Sequence, residues 1–586
     1  MFDKKNQRII VLLILAIIVG CIYVYPDIRF ISELKEDYRG IAMSGTMDEL
    51  AYLARINAFY KSVNFTLSGV DNYEHIGQPW TIGFFSESFL GALGKLLLIS
   101  VVNLDILMSF LLPVALFILI YILTLRLSDS QSLSILSSAV ILLGYHIVTK
   151  TPSLLKEVFY LTYSGPLWFL RPVSPQFHHI MLILNLIFIY KAIDSKKTYA
   201  LWISAIILGL LFYTFVYYWT FIYAGLAILF LIFVFKRNFD NLRIIGFIFL
   251  LSLILSIPYW VNFYQLIHFP DYYRLEYLAN VIYSRKPIIP IFHLFLIFFI
   301  LLTYYRKKHD LSFWFIVAFS IGGLVCLNQH LVFGKTLFPE HWIGYSNKTF
   351  LIIALFSSLN NFKGSYVLKK ISSNFAKMFM VGLILFLLFF LGFKQQDNYY
   401  NENKYRYTQK QLLSGAFSWL KGHTKKDEVA LIDPFNSMLQ KFPLSADILV
   451  YTNNFSFLPA FDAGTIRSKE EFEDRYFISL VLFGYTRVKA EEFIKYKNGA
   501  HFLSMKAMKE YGGVGMQPEY FNYLKDRFEI FNDEKELFLR LSKYRLNYIL
   551  LSNEKKDNGS LNQKYKKNLL KVYDDGRFSI FKFENK

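Results

Sequence analysis

The sequence predicts a polytopic α-helical membrane protein with a C-terminal soluble α/β domain, and three observations carry that expectation. Apolar residues make up 54% of the 586 residues and aromatics 19%, with a mean hydropathy of +0.35, more than a surface in contact with water normally sustains. The apolar residues fall in runs about as long as a helix needs to cross a bilayer. Beyond residue 395 the runs shrink to strand length and charged residues become frequent.

The first run, Ile9–Tyr25, follows Lys4, Lys5 and Arg8 and is followed by Pro26 rather than a small-x-small cleavage site. It reads as an uncleaved span with its N-terminus in the cytoplasm. A polar stretch follows, and then Phe89–Val102, which is interrupted by Gly91, Gly94 and Lys95 and reads as interfacial or re-entrant. Further runs cover 104–125, 132–149, 177–192, 199–216, 218–235, 244–262, 287–304, 311–328, 346–360 and 377–393. With the first they make about 11 transmembrane helices.

Charge assigns sides to the connections. Arg126; Lys191, Lys196 and Lys197; Lys236, Arg237 and Arg243; Arg306, Lys307 and Lys308; and Lys363, Lys369, Lys370 and Lys377 fall in alternate connections. The intervening ones hold fewer cations: Lys150, Lys156 and Arg171; none; Arg274, Arg285 and Lys286; and Lys335. This is the positive-inside pattern of a multi-pass protein of the cell (plasma or inner) membrane. It divides the chain into a transmembrane module, 1–395, with a large outer loop at 27–103, and an extracytoplasmic domain, 396–586. In the latter, Val429–Ile432, Ile448–Tyr451 and Tyr548–Leu551 read as strands and Glu470–Val488 as an amphipathic helix. Leu570–Phe583 reads as a hairpin turning at Asp574-Asp575-Gly576.

The net charge of +19 is spread over short inter-span segments, which fits attraction to membrane lipid and not nucleic-acid binding. Cys21 and Cys326 both sit in apolar runs, so no disulfide or thiolate metal site is expected. Gly-rich phosphate loops, HExxH and Gly-x-Ser-x-Gly are absent from the sequence. The spans are nearly free of ionisable residues, whereas ion-coupled transporters carry such groups near the midplane. Polar chemistry is therefore expected in the outer loops.

The first outer loop holds Thr46-Met47-Asp48-Glu49-Leu50-Ala51-Tyr52-Leu53-Ala54-Arg55. On a helix, Asp48, Tyr52 and Arg55 share one face. A capping reading competes: Thr46 as N-cap, acids in the first turn, and Arg55 paired back to them. Asp48-Glu49 soon after a first span, with Tyr52 and Arg55 behind it, resembles the GT-C class of polyprenyl-phosphate-sugar glycosyltransferases. That class includes protein O-mannosyltransferases and aminoarabinose transferases, and the resemblance extends to its uncharacterised bacterial relatives. It continues through Tyr73-Glu74-His75, Arg171-Pro172-Val173-Ser174-Pro175-Gln176, Phe212–Trp219 and Glu340-His341-Trp342. It covers roughly the first 395 residues.

The resemblance implies an enzyme (EC 2.4 class) of the cell envelope. Its donor is a polyprenyl-phosphate sugar, its acceptor a glycan, lipid or protein, and transfer takes place at the outer face. It implies Asp48 as general base, with Glu49 as backup or site neighbour. A lipid phosphate leaves without much protonation, so one carboxylate and some cations suffice. Arg171 is the candidate phosphate clamp, against a snorkelling arginine beside Trp168. Lys335 has a weaker claim. His341-Trp342 could contact donor or sugar, against Trp342 as an interface anchor. Glu74 and His75 could join Asp48 around a divalent ion, and no cofactor is assigned. The alternatives are a polymerase or ligase using diphosphate-linked oligosaccharides, a non-enzymatic transporter or flippase, and a membrane-anchored scaffold for cell-surface glycan assembly.

Overall fold

Among the described residues each apolar run carries a helix. The computed structural model describes residues 4–44, 46–61, 65–146, 165–278, 281–304, 310–360, 374–433, 445–458, 465–488, 491, 518–531, 533–553, 561–562 and 564–583. Lys150, Lys156, Arg306, Lys307, Lys308, Lys363, Lys369 and Lys370, used above to assign sides, lie outside these residues, as do positions 147–149 of the third run. In chain order the helices are α1 (Lys4–Leu34), α2 (Met47–Tyr60), α3 (Phe85–Leu96), α4 (Val101–Ser128), α5 (Gln131–Leu143), α6 (His178–Ser195), α7 (Thr198–Leu211), α8 (Val216–Phe235), α9 (Phe239–Leu255) and α10 (Ile257–Ile267). They continue with α11 (Ile291–Tyr304), α12 (Leu311–Leu327), α13 (Lys348–Leu359), α14 (Asn374–Lys410), α15 (Ser414–His423), α16 (Ser445–Tyr451) and α17 (Lys469–Leu482).

Among the described residues, six helical stretches are long and apolar enough to cross a bilayer: Asn6–Asp37, Val101–Ser128, Pro172–Ser195, Val216–Phe235, Leu311–Phe333 and Met378–His423. A seventh counts if α9 and α10, bent by 52°, form one broken span. The chain is thus a multi-pass helical membrane protein with six or seven spans by length and composition, fewer than the count of apolar runs. The difference is length. The 13 residues of α5 rise only roughly 20 Å at the helical pitch, short of a hydrocarbon core of about 30 Å.

The chain folds into two compact units whose boundary is not a single cut near residue 395. One comprises Met1–Glu33, Asn103–Val261 and Ile282–Lys404; the other comprises Leu34–Val102, Asn262–Val281 and Tyr405–Lys586. In the first unit α8 and α12 approach through glycines, where a Cβ on Gly322 would stand 2.6 Å from the Gly225 backbone nitrogen. Such small-residue contacts let helix backbones close together without a hydrophobic driving force. Asn185 Nδ2 donates to Ser204 O at 2.6 Å, tying α6 to α7. Arg29 on α1 reaches Asp397 on α14 at 2.5 Å, and Tyr400 donates to Glu33 at 2.7 Å.

The second unit is built on a five-stranded sheet of order β4-β3-β5-β7-β6. Its strands are β3 (Val429–Ile432), β4 (Phe455–Ser456), β5 (Tyr548–Ser552), β6 (Leu569–Asp574) and β7 (Phe578–Phe583). β4, β3 and β5 run parallel, while β5, β7 and β6 pair antiparallel, with β6 and β7 forming the expected hairpin. Ile448–Tyr451, expected as a strand, is instead part of α16. Tertiary context overrides its β-branched composition: buried Asp447 in the same helix pairs with Lys410 Nζ at 2.7 Å, and Ile448 enters the core under β3 and β5. The helix expected from Glu470 is α17, but it is buried rather than amphipathic, with Glu473, Asp474 and Arg475 all inside.

The segment that follows α1, Leu34–Val102, is part of this sheet domain. Gln411 accepts from Arg39 N at 2.9 Å and donates to Ile41 O at 2.8 Å. Tyr407 donates to Ser44 O, and Ala42 N donates to the Tyr451 hydroxyl at 3.2 Å. Ile41 joins the core with Phe417, Ile432 and Ile580. Farther along, Ser456 N donates to Asp71 O at 3.1 Å, so the loop covers the open edge of β4. A chain ending at Lys404 should therefore lose the fold of its 34–102 segment. Limited trypsinolysis with mass spectrometry is expected to cut that segment in the truncated chain and spare it in the full one.

Candidate functional site

Thr46 caps α2, its Oγ1 accepting from Glu49 N at 3.4 Å, as the capping motif requires. The first turn then presents its two acids oppositely. Asp48 is exposed, whereas Glu49 is 5% exposed and packs inward. Tyr52, a turn later, is half-buried. Arg55 does not pair back to Asp48. Its Nε meets Glu87 Oε1 on α3 at 2.7 Å, with the side chains 5% and 3% exposed, and its Nη2 donates to Gly83 O at 2.5 Å. Both of these bonds hold α3 against α2.

The other end of α2 is held as firmly. Asn57 Nδ2 donates to Leu449 O at 2.8 Å and Thr452 O at 3.1 Å, carbonyls at the C-terminus of α16. Lys61 donates to Leu449 O and Asn454 O at 3.5 and 3.3 Å.

Glu74 and His75 serve the same scaffold. Glu74 accepts from Arg475 Nη2 at 2.7 Å and Arg545 N at 2.6 Å. His75 Nε2 donates to Glu471 at 2.8 Å, and Gln78 Nε2 lies 2.5 Å from its Nδ1. Asp71 and Asn72 are gripped by Arg467 at 3.0 and 2.6 Å. Of the candidate trio Asp48, Glu74 and His75, both loop residues Glu74 and His75 face partners in the C-terminal domain. Among the described residues no group of three or more His, Cys, Asp or Glu is arranged to hold a metal ion.

In the first unit two of the sequence segments converge. Arg171 precedes a turn, Pro172–Phe177, that opens α6, and Trp342–Asn347 opens α13 in the same way. Arg171 Nη2 donates to the Tyr345 hydroxyl at 3.3 Å. Tyr345 O also accepts from His179 Nε2 at 3.2 Å, and Trp168 lies 5.5 Å from the Tyr345 ring. His341 is ringed by Phe215, Tyr217, Phe338 and Tyr345 at 4.8 to 5.5 Å. Trp342 is fully buried, its Nε1 donating to Thr220 Oγ1 at 2.9 Å. It is a core residue and not the interface anchor considered above. His178 and His179 are buried as well. Lys335 is exposed on a two-residue strand, Lys335–Thr336, paired with Ile282–Tyr283.

Sequence reasoning missed the basic residues of the C-terminal half that hold the loop, Arg467 and Arg475. Each is separated by hundreds of positions from what it holds there, and no local spacing announces such a pair.

No protein-family model matches the chain, and no curated protein matches it. Among solved structures the chain is similar to the oligosaccharyltransferase of Archaeoglobus fulgidus in the apo form, at 13% identity over 94% of this chain and 70% of that one, with a TM-score of 0.49. The same enzyme tethered to an acceptor peptide containing the NVT sequon matches with 13% identity, 94% and 69% coverage and the same TM-score of 0.49. ArnT from Cupriavidus metallidurans in the apo state matches with 8% identity, 99% and 98% coverage and a TM-score of 0.42.

Two predictions follow from the scaffold. Arg55→Gln or Glu87→Gln leaves one buried charge without its partner, a loss of about 3–5 kcal/mol. Hydrogen exchange should show α2 and α3 amides losing protection by that order. Acid should act at Glu471. Burial pushes its carboxyl up, but the His75 hydrogen bond and the charges of Arg475, His75 and Arg467 outweigh burial and hold it at about 2 against 4.5. The unfolded chain then binds the proton first, so this stabilisation is complete above pH 4.5 and is lost as pH falls toward 2. Glu471→Gln should flatten the acid limb of an unfolding profile over that window.

Proposed function

We propose that the protein is a glycosyltransferase that moves a sugar from a polyprenyl-phosphate donor to an acceptor at the outer face of the membrane. The acceptor hydroxyl oxygen attacks the anomeric carbon and its proton passes to the Asp48 carboxylate. The bond from that carbon to the phosphate oxygen breaks, and the polyprenyl phosphate leaves with the electron pair, inverting the anomeric centre. Arg171 and the exposed Lys335 are the cations proposed to neutralise phosphate, and the rings around His341 are proposed to border the sugar. The acceptor is a glycan, lipid or protein.

The observation that carries the reading is the division of labour inside the acidic motif. A general base must reach a proton held by a substrate, and Asp48 is exposed at the Thr46-capped start of a helix that Arg55 and Asn57 hold farther along. Glu49, beside it, is buried. The motif thus presents one carboxylate outward and uses the other internally, which a pair serving only as a cap does not need.

The proposal includes a cytoplasmic N-terminus and places residues 396–586 outside. The Lys and Arg alternation supports it. In a Cys21→Ala/Cys326→Ala background, Lys571→Cys should react with an impermeant maleimide added to intact cells. Reaction only after permeabilisation would overturn the orientation.

Asp48→Asn keeps the size and the cap while removing the base. Membrane insertion and donor binding should be unchanged, with transfer reduced about a hundredfold or more. Glu49→Gln should instead lower stability, with transfer per folded molecule less affected. Near-full transfer in Asp48→Asn would remove the proposed mechanism.

A further inference from the structure

We infer that α3 and the turn after it form a membrane-docking surface that rests in the bilayer interface and fixes the height of α2 above the lipid. Its buried face carries Ser86, Glu87 and Ser88 together with Leu90, Gly91 and Gly94, while Phe89, Leu96, Leu97 and Leu98 are 48, 79, 47 and 92% exposed. Phe65, 64% exposed, adjoins them, with Ser88 Oγ donating to its carbonyl at 3.0 Å. Neighbouring apolar side chains exposed to this degree are the mark of an interaction face rather than of scattered surface leucines.

The backbone adds a second observation. The α3 helix ends with Ile99 N donating to Gly94 O at 3.2 Å, a closure that sets the residue before Ile99 in the left-handed region. That residue is Leu98, at φ +56, where glycine is the ordinary choice. A branched side chain held in an unfavourable conformation and almost wholly exposed gains nothing from water. It gains from an apolar phase.

The chain itself names that phase. Three residues after Leu98 begins α4, the 28-residue helix Val101–Ser128, which is long and apolar enough to cross a bilayer. Lys95 lies at the margin of the patch, its Nζ 5.0 Å from the Phe59 ring centroid, the arrangement of an amphipathic cation beside an interfacial helix. Within the unit α2 is locked onto α3. Arg55 binds Glu87, and Gly91 passes under Phe59 so closely that a Cβ there would lie 2.8 Å from Phe59 Cδ1. Docking of α3 therefore sets the depth of α2. The consequence for transfer rests on the proposed role of Asp48; the docking does not.

The test uses the full-length Cys21→Ala/Cys326→Ala protein in phosphatidylethanolamine–phosphatidylglycerol vesicles, with an environment-sensitive fluorophore on Leu97→Cys and, as a water-exposed control, on Lys571→Cys. The Leu97 site should emit at shorter wavelength than the control. It should be quenched severalfold more by lipids bearing a nitroxide near the headgroup than by iodide, with the reverse order at Lys571. Iodide quenching at both sites alike, or shielding at Leu97 that depends on protein concentration and not on nitroxide lipid, would overturn the proposal, the latter in favour of a second copy. Hydrogen exchange of α2 in the labelled protein separates a misfolded loop from a correctly folded one that does not dock.

Discussion

The packing of α2 on α3 in the second unit is constrained by one buried contact, the ion pair of Arg55 and Glu87. Two charges taken almost wholly out of water are tolerable only when each faces the other and the remaining donors are satisfied. Here Gly83 O takes the second arm of the guanidinium. The pair is weak as a source of net stability but strong as a constraint, because any other packing of α2 on α3 would strand both charges. It thereby fixes the axis of α2, which carries Asp48 at one end and is bonded to the carbonyls of α16 at the other. The base role proposed for Asp48 would call for that degree of fixation, since small displacements from productive geometry cost rate steeply.

The same logic extends through the domain. A loop of nearly seventy residues would ordinarily be the most tolerant part of a chain, yet Leu34–Val102 is assigned to the same compact unit as Tyr405–Lys586 and supplies core residues, an edge cover for β4 and half of several ion pairs. Arg475 illustrates the arrangement: fully buried on α17, it bridges Glu471 of its own helix and Glu74 of the loop. The C-terminal domain is in this respect the mould of the loop rather than an appendage to the membrane module.

This explains what the sequence made legible. Periodicity and length located a helix on every apolar run, the Asp574-Asp575-Gly576 turn and the Thr46-capped helix, because each of these is decided by residues close in the chain. Ile448–Tyr451 was misread as a strand because its composition is β-like while its partners, Lys410 and the core under β3, are remote. The i, i+7 spacing that groups Arg55 with Asp48 does not announce the partner it meets 32 residues away on another helix. Glu74 and His75 likewise meet partners about 400 residues downstream. Local rules located the capped acidic helix; they could not find what holds it.

The two acids of the motif show how one short sequence performs two physical jobs. Successive residues on a helix point about 100° apart, so a pair at the first turn cannot both face the same way. Here the second acid, Glu49, turns into the protein, and Ser44 just ahead of the helix is bonded to Tyr407. The first acid is left at the surface with its backbone held on both sides, by the Thr46 cap and by the buried neighbour. Swapping the two residue types would keep the charge count but place the longer, more flexible glutamate outside and the shorter aspartate inside, where it would fill the buried position less fully. Order within the motif, and not acidity alone, is what the fold uses.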